Sequence, residues 1–163
     1  MPESPRCRLV RKRDGEARMV SRADLQEFFK TYEKVYNDAI AGTVDLDDVA
    51  DIYSTGFVSV TPAGVIVGEN GAELKDVMKK GFEAYRAIGS KKMICADVSV
   101  TPIDQDHCVA KVQWSGEYER KNKDRLTIDF EVNYLVERRD GRLKVFGWIA
   151  GDEQAEFRKY GLL

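Results

Sequence analysis

The sequence predicts an α+β domain in which helices come first and a sheet of long antiparallel strands follows. Three observations carry this reading. Between residues 125 and 136 the even positions are Leu126, Ile128, Phe130, Val132, Tyr134 and Val136, while Thr127, Asp129, Glu131 and Asn133 hold odd ones. That period of two marks a half-buried strand. Asp140-Gly141 then supplies the pair that tolerates positive φ in a tight hairpin, and residues 143–150 return as a second strand. Before residue 90 the apolar spacing is instead three and four, the period of a helix face.

The totals fit one domain. A chain of 163 residues, 43% hydrophobic and 33% charged, has the composition of a globular protein. At this length folding buries about two thirds of the surface of the unfolded chain. No apolar run approaches the length of a membrane span, and the basic N-terminus lacks the apolar stretch of a secretory signal. No membrane association and a cytoplasmic location are therefore expected. Residues 1–22 carry seven basic side chains (Arg6, Arg8, Arg11, Lys12, Arg13, Arg18, Arg22) against Glu3, Asp14 and Glu16, a net of +4 within a chain of net −2, which leaves −6 for the rest. Such an arm is more often solvated or docked on its own acidic body than bound to nucleic acid, and nucleic-acid binding is not expected.

Residues 1–20 read as a basic arm, disordered at its start and containing a short hairpin about Asp14-Gly15; residues 21–152 form the domain; residues 153–163 form a short helix and tail. Ser21 and Asp24 have the spacing of a capping pair, opening a helix whose face is Leu25, Phe28, Phe29, Tyr32, Val35, Tyr36, Ala39 and Ile40, ended by Gly42. Asp45 caps a shorter second helix carrying Leu46, Val49, Ile52 and Tyr53, which Gly56 closes. Its aspartates lack the spacing of a calcium loop and suit a helix N-terminus, so no metal is expected. Two short strands flank Thr61-Pro62-Ala63-Gly64. Asn70 with Glu73 opens a third helix that presents Leu74, Val77, Met78, Phe82 and Tyr85 and stops at Gly89. Four long strands follow at 93–100, 108–118, 126–136 and 143–150, an antiparallel meander that must twist and curl.

Cys7, Cys95 and Cys108 form an odd set without C-x-x-C spacing, so reduced thiols are expected rather than a disulfide or a zinc site. Strict alternation places Cys95 and Cys108 on opposite faces. It also places Phe146, Trp148 and Ala150 on one face of the last strand, with Leu143, Val145 and Ile149 on the other. Leu135, Val145 and Ile149 then make the outer face apolar, which predicts a homodimer through that face.

The order of these elements resembles the nuclear transport factor 2-like superfamily of cone-shaped, cystatin-like α+β domains. The resemblance rests on the long helix ending in Ala41-Gly42, the Asp-rich helix ending in Tyr53, Gly56-Phe57-Val58-Ser59, the Gly68-Glu69 step into the third helix, and Asp140-Gly141-Arg142-Leu143-Lys144-Val145. It implies a curved sheet packed against three N-terminal helices, an apolar pocket between them, and frequent homodimers. Relatives of this kind include ketosteroid isomerases, SnoaL-like cyclases, dehydratases and non-enzymatic association modules, and fold alone does not choose among them. The steroid isomerases place a catalytic aspartate before Pro-x-Gly, where this sequence has Thr61, which cannot act as a carboxylate base. Their acid donor matches Asn133 or Tyr134, neither a carboxylic acid. His107 falls at a polar turn, where exposure is expected.

The candidate ligand pocket is therefore aromatic: Tyr32, Tyr53, Phe57, Met78, Phe82, Trp114, Phe130, Tyr134, Phe146 and Trp148. Such rings either fill the core or line a cavity whose few polar tips orient a small aromatic or lipidic ligand. The first function expected is small-molecule binding, with isomerase or lyase chemistry using Tyr32, Tyr53 or Tyr134 as donor; the second is a non-catalytic association module. No phosphate loop, metal triad or activated nucleophile is visible, and no cofactor is expected.

Overall fold

Ser21 opens the first helix, α1 (Arg22–Ala41), by accepting from the Asp24 amide while the Asp24 carboxylate accepts from the Ser21 amide, so two otherwise orphaned donors are satisfied. Gly42, at φ 78°, ends it. The computed structural model describes residues 18–163; the hairpin about Asp14-Gly15 and Cys7 lie outside them. Of the expected arm, Arg18 donates to the Asp24 carboxylate and Val20 is buried.

Asp45 caps α2 (Leu46–Asp51) through the Asp47 amide. Gly56 does not close this helix. The chain turns extended at Tyr53, and β1 (Tyr53–Thr61) runs straight through Gly56. The reason is pairing: β1 lies parallel to the last strand, β6 (Arg142–Ala150), with Tyr53 opposite Val145 and Val58 opposite Gly147. β2 (Gly64–Glu69) returns antiparallel to β1. The third helix, α3 (Ala72–Ala87), has Gly71 at its N-cap with no side-chain cap bond. The Asn70 side chain is diverted, donating to the carbonyls of Ala50 and Tyr53 and tying the start of α3 to α2 and β1.

The meander follows as β3 (Ser90–Pro102), β4 (His107–Glu119), β5 (Arg125–Arg139) and β6. Asp140 (φ 51°) and Gly141 (φ 77°) turn the β5–β6 hairpin. The six described strands form one open, curved sheet in the order β2-β1-β6-β5-β4-β3. α4 (Glu153–Lys159) packs Phe157 against Tyr118 and Ile128. α1 lies along the concave side, and Leu25 and Phe29 are fully buried against Val98, Val112, Val132, Val136 and Val145. Each such side chain contributes about 1.5–3 kcal/mol of burial.

Register shifts interrupt the ladders at several places, and two of them overturn the expected facing of named residues. In β6 the register against β5 shifts between Leu135 and Val136, so Val145 and Trp148 both face inward while Phe146 turns outward. Val145 is fully buried and belongs to the core, not to the outer face. In β3 the register shifts between Cys95 and Asp97, which brings Cys95 to the same inner side as Cys108. They still cannot bridge, because Cys95 sits opposite Trp114 and Cys108 opposite Pro102, far apart along the ladder. Both thiols are free. No described helix is long and apolar enough to cross a membrane.

Candidate functional site

The concave side of the sheet brings nine of the ten predicted pocket residues to one side of the molecule. α1 carries Tyr32 down onto β4 and β5, where its ring centroid lies 5.6 Å from Trp114 and 5.7 Å from Tyr134. Tyr53, at the first position of β1, is held within reach by the parallel pairing with β6, and its hydroxyl meets that of Tyr32 at 2.9 Å. Beside it Phe57 stacks on Trp148, with centroids 5.3 Å apart and planes 16° from parallel. Gly68 makes room for this stack, since a Cβ there would come 2.5 Å from the Phe57 ring. Met78 and Phe82 of α3 and Phe130 of β5 pack against the same cluster and remain half-buried.

Phe146 is the exception. The β6 bulge sends it to the convex side, where it meets the His107 ring edge-on at 6.0 Å and borders a shallow concavity of about 380 Å³ with Ser54, Glu137 and Arg139. His107, the first residue of β4, shares that side and contacts Asp104 through Nδ1. A larger open groove of about 780 Å³ lies between α1, α2 and the β5–β6 turn, floored by Phe28, Val35, Ile52 and Leu143. None of the ten residues lines it.

The hydroxyls cluster. The Trp114 indole donates to the Tyr134 hydroxyl at 3.1 Å, the Tyr134 ring lies 5.7 Å from that of Tyr32, and the Tyr32 hydroxyl meets that of Tyr53 at 2.9 Å. An indole only donates, while each hydroxyl both donates and accepts. These four protons outnumber the bonds they make to one another, so hydroxyl donor capacity is left for an acceptor brought by a ligand. Burial raises the pKa of all three tyrosines, and Tyr53 and Tyr134 are raised further by the neighbouring Tyr32. They stay protonated donors across the physiological range.

Sequence reasoning missed Phe29, which is wholly buried between these rings, 4.9 Å from Tyr134. It also missed the far end of the cluster. Tyr36 of α1 contacts both Phe82, at 5.6 Å, and Tyr85, at 5.8 Å, and the Tyr85 hydroxyl donates to Glu153 of α4 at 2.7 Å. Crowding there raises the Glu153 carboxyl pKa, and the Tyr85 bond opposes the rise. Only the spacing of Tyr36 four residues after Tyr32 signalled this pair. No group of three or more His, Cys, Asp or Glu with metal-ligand geometry occurs among the described residues.

A cone of helices on a curved six-stranded sheet with an aromatic interior defines a nuclear transport factor 2-like, cystatin-like domain. The chain belongs to the family described as NTF2-like protein (DUF6841), whose model matches residues 23–153. No curated protein matches the sequence. Solved structures share the fold. The β subunit of benzoate 1,2-dioxygenase from Burkholderia mallei is 16% identical, with a TM-score of 0.63 over 85% of this chain and 95% of that one. An NTF2-like protein with a cystatin-like fold from Novosphingobium aromaticivorans is 12% identical, with a TM-score of 0.62 over 87% and 88%. A ketosteroid isomerase-like protein from Erwinia carotovora atroseptica is 15% identical, with a TM-score of 0.57 over 80% and 94%. At these identities the likeness is one of fold.

Proposed function

We propose that this domain binds a small aromatic or lipidic molecule on the concave side, between α3 and the sheet. One observation carries the reading: Phe57, Met78, Phe82, Phe130 and Trp148 all face inward yet are only partly buried, and Leu74 is the one buried residue of α3. Apolar side chains turned towards the core but left wet are surface that a ligand would dry. A spare hydroxyl proton among Tyr53, Tyr32 and Tyr134 would supply the hydrogen bond that orients it, to a carbonyl or similar acceptor. A buried donor of this kind also suits isomerase or lyase chemistry, in which negative charge develops on a carbonyl oxygen. Native mass spectrometry of the purified protein tests the binding. A co-purified organic molecule, lost in Phe82→Ala, supports it; a bare chain that also ignores added aromatic and steroid-like compounds removes it.

The second reading is a non-catalytic association module. Tyr32, Trp114 and Tyr134 already pack on one another, which favours a filled inner end. The convex side carries Val58, Val60, Leu135, Phe146 and the 48% exposed Ile149, an apolar set suited to a homodimer through the outer sheet face. Light scattering that gives the mass of one chain at every concentration would exclude it.

A further inference from the structure

Among the described residues β2 is an edge of the open sheet, with β1 on one side and no described strand on the other. Its residues Val65, Ile66 and Val67 are 65%, 67% and 81% exposed, three consecutive apolar side chains standing in solvent. Edge strands are ordinarily guarded against pairing by charge, proline or a bulge. Gly64-Val65-Ile66-Val67-Gly68 has no charge and no proline, and its ladder with β1 runs without a register shift.

The register says what can cover it. Val67 lies opposite Val58 and Val65 opposite Val60, on the convex side; Ile66 lies opposite Ser59, on the concave side with Phe57 and Trp148. A partner lying flat on the outer face would bury the two valines and leave Ile66 wet. A strand laid alongside the edge covers both sides at once. The backbone is ready for it: Thr61 and Gly64 close a two-residue turn as a hydrogen-bonded pair, so by alternation the N–H and C=O groups of Val65 and Val67 point away from β1.

We infer that β2 pairs antiparallel with β2 of a second copy of this chain, about a two-fold axis at Ile66, to give one continuous sheet. In that register Val65 pairs with the partner's Val67 through the outward backbone groups of both, and the two Ile66 side chains meet on the axis. Glu69 falls opposite Ala63, so no like charges are opposed. The strand is thus complementary to itself, as a closed isologous contact requires. This contact is separate from any dimer through the outer face, and either can exist without the other.

The test is assembly mass by light scattering over a concentration series for the full chain and three variants. Val67→Pro removes an outward N–H without removing a bond to β1, and Ile66→Lys places two charges on the axis. Each should halve the mass of the wild-type assembly, whereas Ile149→Lys on the outer face should leave β2 pairing intact. Amide exchange of wild-type Val65 and Val67 needs no variant, and it should slow at least tenfold as concentration rises. A wild-type mass of one chain throughout, as expected if β2 serves a strand of some other protein, overturns the inference. So does an oligomer whose mass and Val65 and Val67 exchange are untouched by both β2 variants.

Discussion

Tyr134→Phe removes one oxygen from the inner end of the cone and nothing else. That oxygen accepts the Trp114 indole proton at 3.1 Å, and Trp114 is 2% exposed, so water cannot replace it. The ring stays, with Phe29 at 4.9 Å and Tyr32 at 5.7 Å, so no cavity is created. What remains is the desolvation cost of an orphaned buried donor, about 1–3 kcal/mol. For a domain of this size that is a fall of about 2–12 °C in Tm. Chemical denaturation reads it directly, as a lower midpoint at unchanged slope. Trp114→Phe gives the second single variant, and the double variant should lose less than the sum of the two, because both partners of the bond are then gone. A Tyr134→Phe protein as stable as the wild type would show that the indole has another acceptor, and the account of a dry indole–hydroxyl bond would be wrong.

Gly147→Ala should destabilise by about 1–3 kcal/mol through overpacking. Its Cβ would come 2.7 Å from Val58 Cγ1 and 3.0 Å from both Leu135 Cδ1 and the Val58 carbonyl oxygen, so a neutral result by denaturation would contradict the β1–β6 register. Asp24 is held well below the usual carboxylate range by the Arg18 hydrogen bonds and then by the Ser21 amide. A depressed folded-state pKa gives stability that is present above the unfolded value and lost as pH falls through the folded one. Asp24→Asn should therefore be less stable near neutrality and lose less on acidification below about pH 4, and thermal melts that fall in parallel for both proteins would refute this. His107→Ala should leave ligand affinity unchanged in a titration, because the imidazole lies on the convex side beside Phe146. A tenfold loss would move the site to that face.

The parts of the fold that were legible in the sequence are those governed by local chemistry. Ser21 and Asp24 announced the start of α1, Gly42 and Gly89 the ends of two helices, and Asp140-Gly141 the hairpin. The parallel β1–β6 pairing left no local signal, so Gly56 looked like a helix terminator when it lies inside a strand. Alternation placed Trp114 and Tyr134 correctly and failed at Phe146 and Cys95, because one inserted residue reverses every later side chain and a bulge has no fixed sequence mark. The end built from Tyr36, Tyr85 and Glu153 was hidden for another reason. It joins three elements distant in sequence, and α4 is too short to show a periodic face.

The measurement closest to the central claim is a thermal-shift screen of wild type and Trp148→Ala against small aromatic and steroid-like carbonyl compounds. Trp148 stacks on Phe57 while remaining only partly buried. Truncating it should therefore cost less than the about 3–5 kcal/mol of a fully packed ring, leaving a folded protein to assay. A ligand at one hundred times its Kd adds about 2.7 kcal/mol to stability. The account predicts at least one compound that raises the wild-type Tm by several degrees and has no effect on Trp148→Ala. No shift with any compound, or equal shifts in both proteins, would contradict a ligand site on the concave side.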